Sequence, residues 1–472
     1  MSLSAGSVCP EGESNSRRSP PENYPMSDSL SRRQMLRATA GIAAATFTIE
    51  AAEAEWRSLT PTATSNETMH GVPFDRTPNV RVGFIGLGGR GSGLLNDLIN
   101  IPGVEIRAVC DLVTERAESG ASRVARGGAQ KPQVYGGKLD SWKALVARDD
   151  IDIVYIATPW DWHVPMAIGA MEHGHHAATE VPAATTLSDC WKLVDTSERT
   201  RKHCIMLENC CYGNSEMMVL NMVRKGMFGT ITHGEAAYIH NLNEILLADS
   251  GEGLWRRKPH VEHNGNLYPT HGLGPVANYM DIHHGDRFVS MVSMSSQEAG
   301  LTEYRDKHTA KDSPKRQEKY KAGDMSTSLL KTANGRTVML QHDVVTFRPY
   351  TRHNLIQGTQ GTFADYPARI CVMGQPEGET WVELSKTDRY KEFIDPLWQK
   401  NGDQARKLGG HGGMDYIMNF RLIQCLHQGI APDMDVYDAA AWSAPTPLSE
   451  LSIVRGGGAV NFPDFTRGNW KK

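Results

Sequence analysis

Two polar segments concentrate the residue types that move protons. Gly265-Asn266-Leu267-Tyr268-Pro269-Thr270-His271-Gly272 sets a phenol and an imidazole three positions apart, with Arg256 a short way upstream. An imidazole titrates near neutral pH, so His271 is a candidate general base toward a hydroxyl. Tyr268 can donate a proton or orient a hydroxyl, and Arg256 can hold a carbonyl or hydroxyl oxygen. Arg348-Pro349-Tyr350-Thr351-Arg352 is a second cluster of the same polar and aromatic kind.

A different chemistry is written at residues 81 to 91, RVGFIGLGGRG. Gly86, Gly88 and Gly91 meet the G-x-G-x-x-G spacing directly after an apolar run and before the amphipathic GLLNDLI. Gly86 permits the tight turn, Gly88 lets a pyrophosphate approach the backbone, and Gly91 allows close helix packing. The helix from Arg90 aims its amides at the phosphates. Val104 to Asp111 forms the next strand, and Asp111 ends it where a carboxylate accepts hydrogen bonds from an adenosine ribose. A carboxylate there repels a 2'-phosphate, so the site reads as NAD rather than NADP.

These groups need elements to position them. From Val80 to about Asn209, strand and helix patterns alternate, with further strands at Ile151 to Ala157, His176 to Glu180 and Cys204 to Leu207. Helices fall near Val164 to His173 and Asp189 to Thr200. Such alternation gives an α/β domain on a parallel Rossmann sheet, with ligands at the strand C-termini. Trp160-Asp161-Trp162-His163, Glu180-Val181-Pro182 and Glu208-Asn209-Cys210-Cys211-Tyr212 follow successive strands. They converge on the nicotinamide side of such a sheet.

After Tyr212 a helix (Ser215 to Arg224) precedes β-rich runs at Ile231 to His240, Phe288 to Ser295, Thr327 to Thr332, Thr337 to Val345 and Asn354 to Gly358. They predict a second, α+β domain on an open, mainly antiparallel sheet. Residues 302–324 are highly charged and read as an exposed excursion. Residues 413–428 predict an amphipathic helix that returns to the first domain. The resulting division is a leader over 1–54, a linker over 55–79, a dinucleotide domain over 80–209 and a substrate domain over 210–472. An exposed sheet face in the second domain suits a homo-oligomer.

The clusters His173, His175, His176 and His283, His284, Asp286 fit no tetrahedral ligand spacing. They read as surface or loop histidines, with no metal. Cys9 lies in the leader, and the odd number of remaining cysteines has no framework spacing. Fifty basic against 54 acidic residues leave a net charge of −4, which gives no bulk attraction to nucleic acid or an anionic membrane.

The N-terminus carries an address. Ser31-Arg32-Arg33-Gln34-Met35-Leu36-Arg37 precedes a weakly apolar stretch and Ala52-Glu53-Ala54, the order of a cleavable twin-arginine (Tat) signal. A periplasmic destination, and a mature form without a membrane anchor, follow as expectations. A periplasm has no recycled pool of NAD. An exported NAD protein should therefore hold its cofactor tightly and end each turnover in the starting redox state, unlike a simple dehydrogenase.

GLGGRG, WDWH, TEVP, LENCCYG, NLYPTHGLGP, RPYTR and HGGMDYIM together resemble glycoside hydrolase family 109, the NAD-dependent α-N-acetylgalactosaminidases within the Gfo/Idh/MocA superfamily. The resemblance implies NAD contacts at Gly89, Arg90, Asp111, Trp160 to His163, Glu180, Val181 and Asn209. It implies contacts to a sugar at Tyr238, Arg256, Tyr268, Pro269, Thr270, His271 and Tyr350. It also implies redox-neutral hydrolysis: hydride leaves C3, the ketone acidifies C2, elimination expels the aglycone, water adds, and the hydride returns. Dehydrogenases of the superfamily carry Glu-Lys-Pro where this chain has Glu180-Val181-Pro182, and the Asp usual before the catalytic His is missing. That leaves His271 and Tyr268 as the acid–base candidates. The two rival readings are an NAD-dependent sugar oxidoreductase and a non-catalytic sugar-binding Rossmann protein.

Overall fold

The computed structural model describes residues 67–471; the twin-arginine leader lies outside them. The first layer system is a six-stranded parallel sheet of order β3-β2-β1-β4-β5-β6. Its strands are β1 (Val80–Ile85), β2 (Val104–Asp111), β3 (Gln133–Gly136), β4 (Ile153–Ile156), β5 (His176–Thr179) and β6 (Cys204–Met206). The crossover helices are α1 (Gly89–Leu98), α2 (Thr114–Arg126), α3 (Ser141–Val146), α4 (His163–Glu172) and α5 (Leu187–Thr200). β4 is buried throughout, as a strand covered on both faces must be. The chain leaves β1 toward β2 on one side and β4 on the other. The crevice at that reversal is where such sheets bind ligands.

From Asn214 the architecture changes. Helix α6 (Asn214–Arg224) leads to a nine-stranded sheet of order β14-β13-β12-β11-β7-β10-β9-β8-β15. Its strands are β7 (Ile231–Ile239), β8 (Phe288–Ser295), β9 (Ser326–Thr332), β10 (Thr337–Asp343), β11 (Leu355–Gly358), β12 (Gly361–Ala364), β13 (Arg369–Val372), β14 (Val382–Glu383) and β15 (Val460–Asn461). β7 and β10 pair in parallel and the other neighbours are antiparallel. Helix α7 (Thr270–Tyr279) lies directly on β7, because a Cβ at Gly272 would stand 2.4 Å from the Ala237 nitrogen. On its other side, a Cβ at Gly274 would reach 3.0 Å from both Cys211 Sγ and Glu208 Cγ. Two glycines thus let one helix nest between the second sheet and the end of β6.

Besides two short helices, Asn243–Leu247 and Lys258–Glu262, the longer ones are α8 (Gly300–His308), α9 (Pro396–Leu408), α10 (Met414–Gln428), α11 (Val436–Ser443) and α12 (Pro445–Val454). α10 does return to the first sheet's helices, where Asn419 Nδ2 reaches Asp97 Oδ2 on α1 at 3.5 Å. No helix of the described residues is long and apolar enough to cross a membrane.

Three sequence readings need correction. Residues 302–324 are not wholly exposed: Arg305, Tyr320 and Ala322 are buried, and the Arg305 guanidinium sits over the Tyr320 ring. The arginine hides its stem and an aromatic face covers its head, which charge counting cannot see. The histidine clusters are only partly surface features: His173 and His284 are exposed, but others are not. His175 is buried with both ring nitrogens on the carbonyls of Ile151 and Val146, and His283 is buried against Asp438. The strands β12 to β14 and the helix α9 escaped the sequence reading, because short strands and a polar helix carry weak periodicity.

Candidate functional site

The glycine turn is built for a diphosphate. Gly86 has φ +91°, and a Cβ on it would stand 2.4 Å from the Ala157 carbonyl oxygen at the end of β4. A Cβ on Gly91 would meet the Gly86 carbonyl oxygen, so only glycine lets α1 sit this close to the turn. By contrast, a Cβ on Gly88 or Gly89 would meet nothing within 4 Å. The space over those two residues is open, and no side chain caps α1 at Gly88. Uncapped amides facing open space fit a dinucleotide diphosphate. Asp111 Oδ2 accepts the Leu87 N–H at 2.6 Å and Oδ1 accepts the Val113 N–H at 2.8 Å. That ties the ribose-side carboxylate to the glycine turn itself.

Beside this turn a charged knot closes the crevice. Arg90 Nε donates to Glu180 Oε1 at 2.7 Å and its Nη1 to Asp415 Oδ2 at 2.5 Å. Asn209 Nδ2 donates to Asp415 Oδ1 at 2.6 Å. His411 Nδ1 approaches the same carboxylate at 2.9 Å. Burial alone would push the Asp415 carboxyl up, but His411 and Arg90 together hold it well below the usual range. Val181 is buried behind Glu180, where an alkyl chain packs and no ammonium reaches the crevice. His163 is buried with Nδ1 on the Pro182 carbonyl and Nε2 on the Thr158 carbonyl, both at 2.8 Å. Its ring bridges the ends of β4 and β5 and its N–H is taken by the Trp160 carbonyl, so His163 shapes the strand ends and does not itself offer a free polar group to a ligand.

Across the crevice stands an aromatic wall. Tyr268 lies 4.8 Å from Tyr238 and 4.9 Å from His271, and Trp160 stacks on it at 5.6 Å from the first domain. The Arg256 guanidinium sits 4.9 Å over the Tyr268 ring and ion-pairs with Glu252. Tyr350, part-exposed, stands edge-on to Tyr238 at 6.4 Å and forms the rim. Pro269 precedes α7 and Thr270 begins it, so the helix start presents His271 into the wall. Tyr238, Arg256, Tyr268, His271 and Tyr350 thus fall in one cluster, whereas Thr270 is fully buried beside Glu208 and offers no surface to a sugar.

The proton path is set by a residue to which the sequence reading gave no role. His271 Nδ1 lies 2.7 Å from Glu208 Oε1, and Glu208 is 0% exposed. Burial pushes the Glu208 carboxyl up, yet the charge and hydrogen bond of His271 bring it below its ordinary value. An ionised carboxylate on Nδ1 requires the proton there, leaving Nε2 as the free base. Nε2 faces the Tyr268 hydroxyl at 3.4 Å. Burial raises the Tyr268 and Tyr238 phenols, against the pull of Arg256. Both stay protonated at neutral pH, so neither phenol is a base. Of the two imidazoles in the wall, His240 meets the Tyr238 hydroxyl at 3.1 Å and is lowered by burial, while His271 is the one braced by a carboxylate and is the candidate base.

Glu208, Cys210 and His271 also place potential metal-ligand atoms within 4.8 Å of one another. The Glu208 oxygen is already committed to the His271 and Cys210 N–H groups, and burial raises the Cys210 thiol well above its ordinary value. The trio is a hydrogen-bonded cluster with a protonated thiol, a poor donor set for a cation. Next to the Cys210 to Tyr212 turn, a polar cleft of about 250 Å³ is lined by Gly213, Glu216, Arg352, Asp365, Trp398 and His411. Asp415 and Glu208 are the two residues that sequence reasoning missed. Glu208 reads from the sequence only as part of a strand end on the nicotinamide side, without its tie to His271, and the only trace of Asp415 is its place in the HGGMDYIM segment.

Comparison with known proteins agrees with both halves of this geometry. Residues 80–208 match the oxidoreductase family with an NAD-binding Rossmann fold, and residues 212–472 match the glycosyl hydrolase 109 C-terminal domain. A glycosyl hydrolase family 109 protein of Solibacter usitatus is 51% identical over 86% of this chain and 93% of its own length. An alpha-N-acetylgalactosaminidase of Shewanella oneidensis is 47% identical over 94% of this chain and 97% of its own. Among solved structures, a levoglucosan dehydrogenase in complex with NADH shares the fold at a TM-score of 0.62 and 17% identity, covering 82% of this chain and all of that one. The uncapped glycine turn fits the dinucleotide, and the match of both domains carries the rest: the chain belongs to glycosyl hydrolase family 109 and is a glycoside hydrolase that uses NAD.

Proposed function

We propose that this enzyme hydrolyses α-N-acetylgalactosaminides, or closely related glycosides, without net oxidation, and that its NAD stays bound from one turnover to the next. The observation that carries the reading is the Glu208–His271 pair, whose free Nε2 faces the aromatic wall beside Tyr268. The name of the Shewanella oneidensis relative supports the choice of sugar.

Gly86, Gly88, Gly89, Arg90, Gly91, Asp111, Trp160, Glu180 and Asn209 would hold the cofactor, with His163 and Val181 shaping the strand ends behind it. Bound NAD supplies a reversible hydride acceptor at the sugar ring. All proton work then falls to the chain. His271 Nε2 takes a proton from the sugar, and the imidazolium so formed is stabilised by Glu208 on the other nitrogen. Tyr268, kept neutral by burial, donates a hydrogen bond to a ring oxygen and steadies charge developing there. Arg256, Tyr238 and Tyr350 orient the sugar, whose apolar face suits the aromatic wall. With Val181 packed where a lysine would be needed, no ammonium assists plain alcohol oxidation.

The twin arginines at Arg32 and Arg33 support export by the Tat route to a periplasm. The exposed side chains of Met294 and Leu329, on the neighbouring strands β8 and β9, support a homo-oligomer formed on that face.

The test is to purify the protein without added cofactor and supply aryl α- and β-glycosides, with the α-N-acetylgalactosaminide first. Release of aglycone, no accumulated NADH, and uptake of deuterium at C2 in heavy water are expected. Stoichiometric NADH with an intact glycosidic bond would show a sugar dehydrogenase instead.

A further inference from the structure

The loop entering α10 has an unusual backbone. Gly409, Gly410, His411, Gly412 and Gly413 all have positive φ, at +96°, +37°, +50°, +74° and +103°. Neighbouring atoms exclude a side chain at two of these positions. A Cβ on Gly410 would stand 2.8 Å from Asp415 Oδ2, and one on Gly413 would stand 2.9 Å from the Ala405 carbonyl carbon. His411 is the one residue of the five with a side chain, and it is held in a conformation that non-glycine residues avoid. That conformation brings its ring onto the Asp415 carboxylate at 2.9 Å while the ring remains 59% exposed at the crevice rim.

Asp415 itself is a junction. One oxygen takes the Asn209 amide, and the other takes Arg90 and His411. Arg90 carries the link on to Glu180. Four segments far apart in sequence are therefore tied by one carboxylate from the second domain's long helix. Three of them bear residues assigned above to the cofactor. Buried charge-assisted hydrogen bonds of this kind release slowly, because each must break before its segment can move.

We propose that Asp415 is the positioning residue that locks the bound dinucleotide by fixing Arg90 and Asn209, and that His411 closes the lock over the crevice. The proposal rests on the reading that NAD is retained. The glycine turn alone supplies amides that bind a diphosphate, but nothing there prevents exchange. The Asp415 knot adds a barrier to release without touching the reacting sugar.

The experiment measures NAD release from the full-length enzyme. Purified protein is chased with excess 3-acetylpyridine adenine dinucleotide, and displaced NAD is quantified over time. Asp415→Asn should release NAD about 100-fold faster than the parent and His411→Ala about 10-fold faster, with the stripped His411→Ala protein still melting in one cooperative transition. Asp415→Glu should restore part of the retention. His411→Ala, a change at an exposed rim, keeps the test open if Asp415→Asn does not fold. Release at the parental rate from both variants overturns the lock. Should the parent itself lose NAD on its first gel filtration, the retention reading fails instead. Equilibrium NAD affinity then decides the lock, and equal affinity in parent and variants overturns it.

Discussion

The two walls of the crevice solve opposite problems. The cofactor wall is ionic: Arg90, Glu180 and Asp415 are buried or half-buried charges satisfied by one another, with the exposed ring of His411 on Asp415. The sugar wall is aromatic, and burial there suppresses ionisation, so Tyr238 and Tyr268 are held protonated beside the His271 imidazole. Charges that neutralise one another can hold a group in place, while a desolvated phenol can donate but not titrate at neutral pH. Retention and proton transfer are thus assigned to different walls, joined by the Glu208 to Asn209 step at the end of β6.

Breaking the sugar wall should have the larger consequence for activity. His271→Ala is expected to lower kcat by about 1,000-fold or more, as loss of a general base does, with bound NAD unchanged by absorbance. Loss of NAD together with activity would mean that the walls are not separate. On the cofactor side, Gly91→Ala should destabilise the fold by about 3 kcal/mol and abolish NAD retention, read by melting temperature and gel filtration, because its Cβ meets the Gly86 carbonyl. A well-folded, NAD-loaded Gly91→Ala protein would refute the packing argument.

Glu208→Gln sharpens the link between the walls. It removes the negative partner of His271 while keeping the shape, and should lower kcat by about 100-fold with little change in KM. It also has a stability signature. The Glu208 carboxyl is lowered in the folded protein, so the unfolded chain binds the proton more readily. The stabilisation by Glu208 is complete above the ordinary glutamate range and lost as pH falls through the lower folded value. Urea melts at acidic pH should show that loss in the parent and not in Glu208→Gln.

Asp97, on α1 behind the cofactor knot, has the opposite sign. Burial first, and then the charge of Asp415, push its carboxyl up to about 7. A raised acid favours the folded state below its unfolded value and weakens it as pH rises through the folded value. Asp97→Asn should therefore leave stability unchanged near pH 4 and raise it by about 2 kcal/mol at pH 8, in matched urea melts. The smallest effect expected is from Tyr268→Phe. It loses one neutral donor, and kcat should fall by about 10-fold.

Much of this was legible along the chain. The glycine turn, Asp111 and the strand ends are local signals, since a period-2 run followed by a glycine motif specifies one supersecondary unit. Tyr268 and His271 were legible because three residues of spacing at a helix start put both on one wall. Glu208 and Asp415 were harder: each acts on a partner 63 or more positions away, and a carboxylate at a strand end or helix start has many ordinary uses. The histidine clusters misled for the same reason, as their partners are backbone carbonyls and a distant aspartate.

Residue order alone therefore determined the dinucleotide turn, the parallel sheet and the imidazole-phenol pair, because each depends on neighbours within a few residues or on hydrophobic period. Tertiary structure decided which nitrogen of His271 is free, that the phenols stay protonated, and that one carboxylate from the C-terminal helix ties the cofactor wall together. Those properties depend on burial and on charges brought close by packing α7 and α10 against the first domain, and spacing along the chain does not encode such distances.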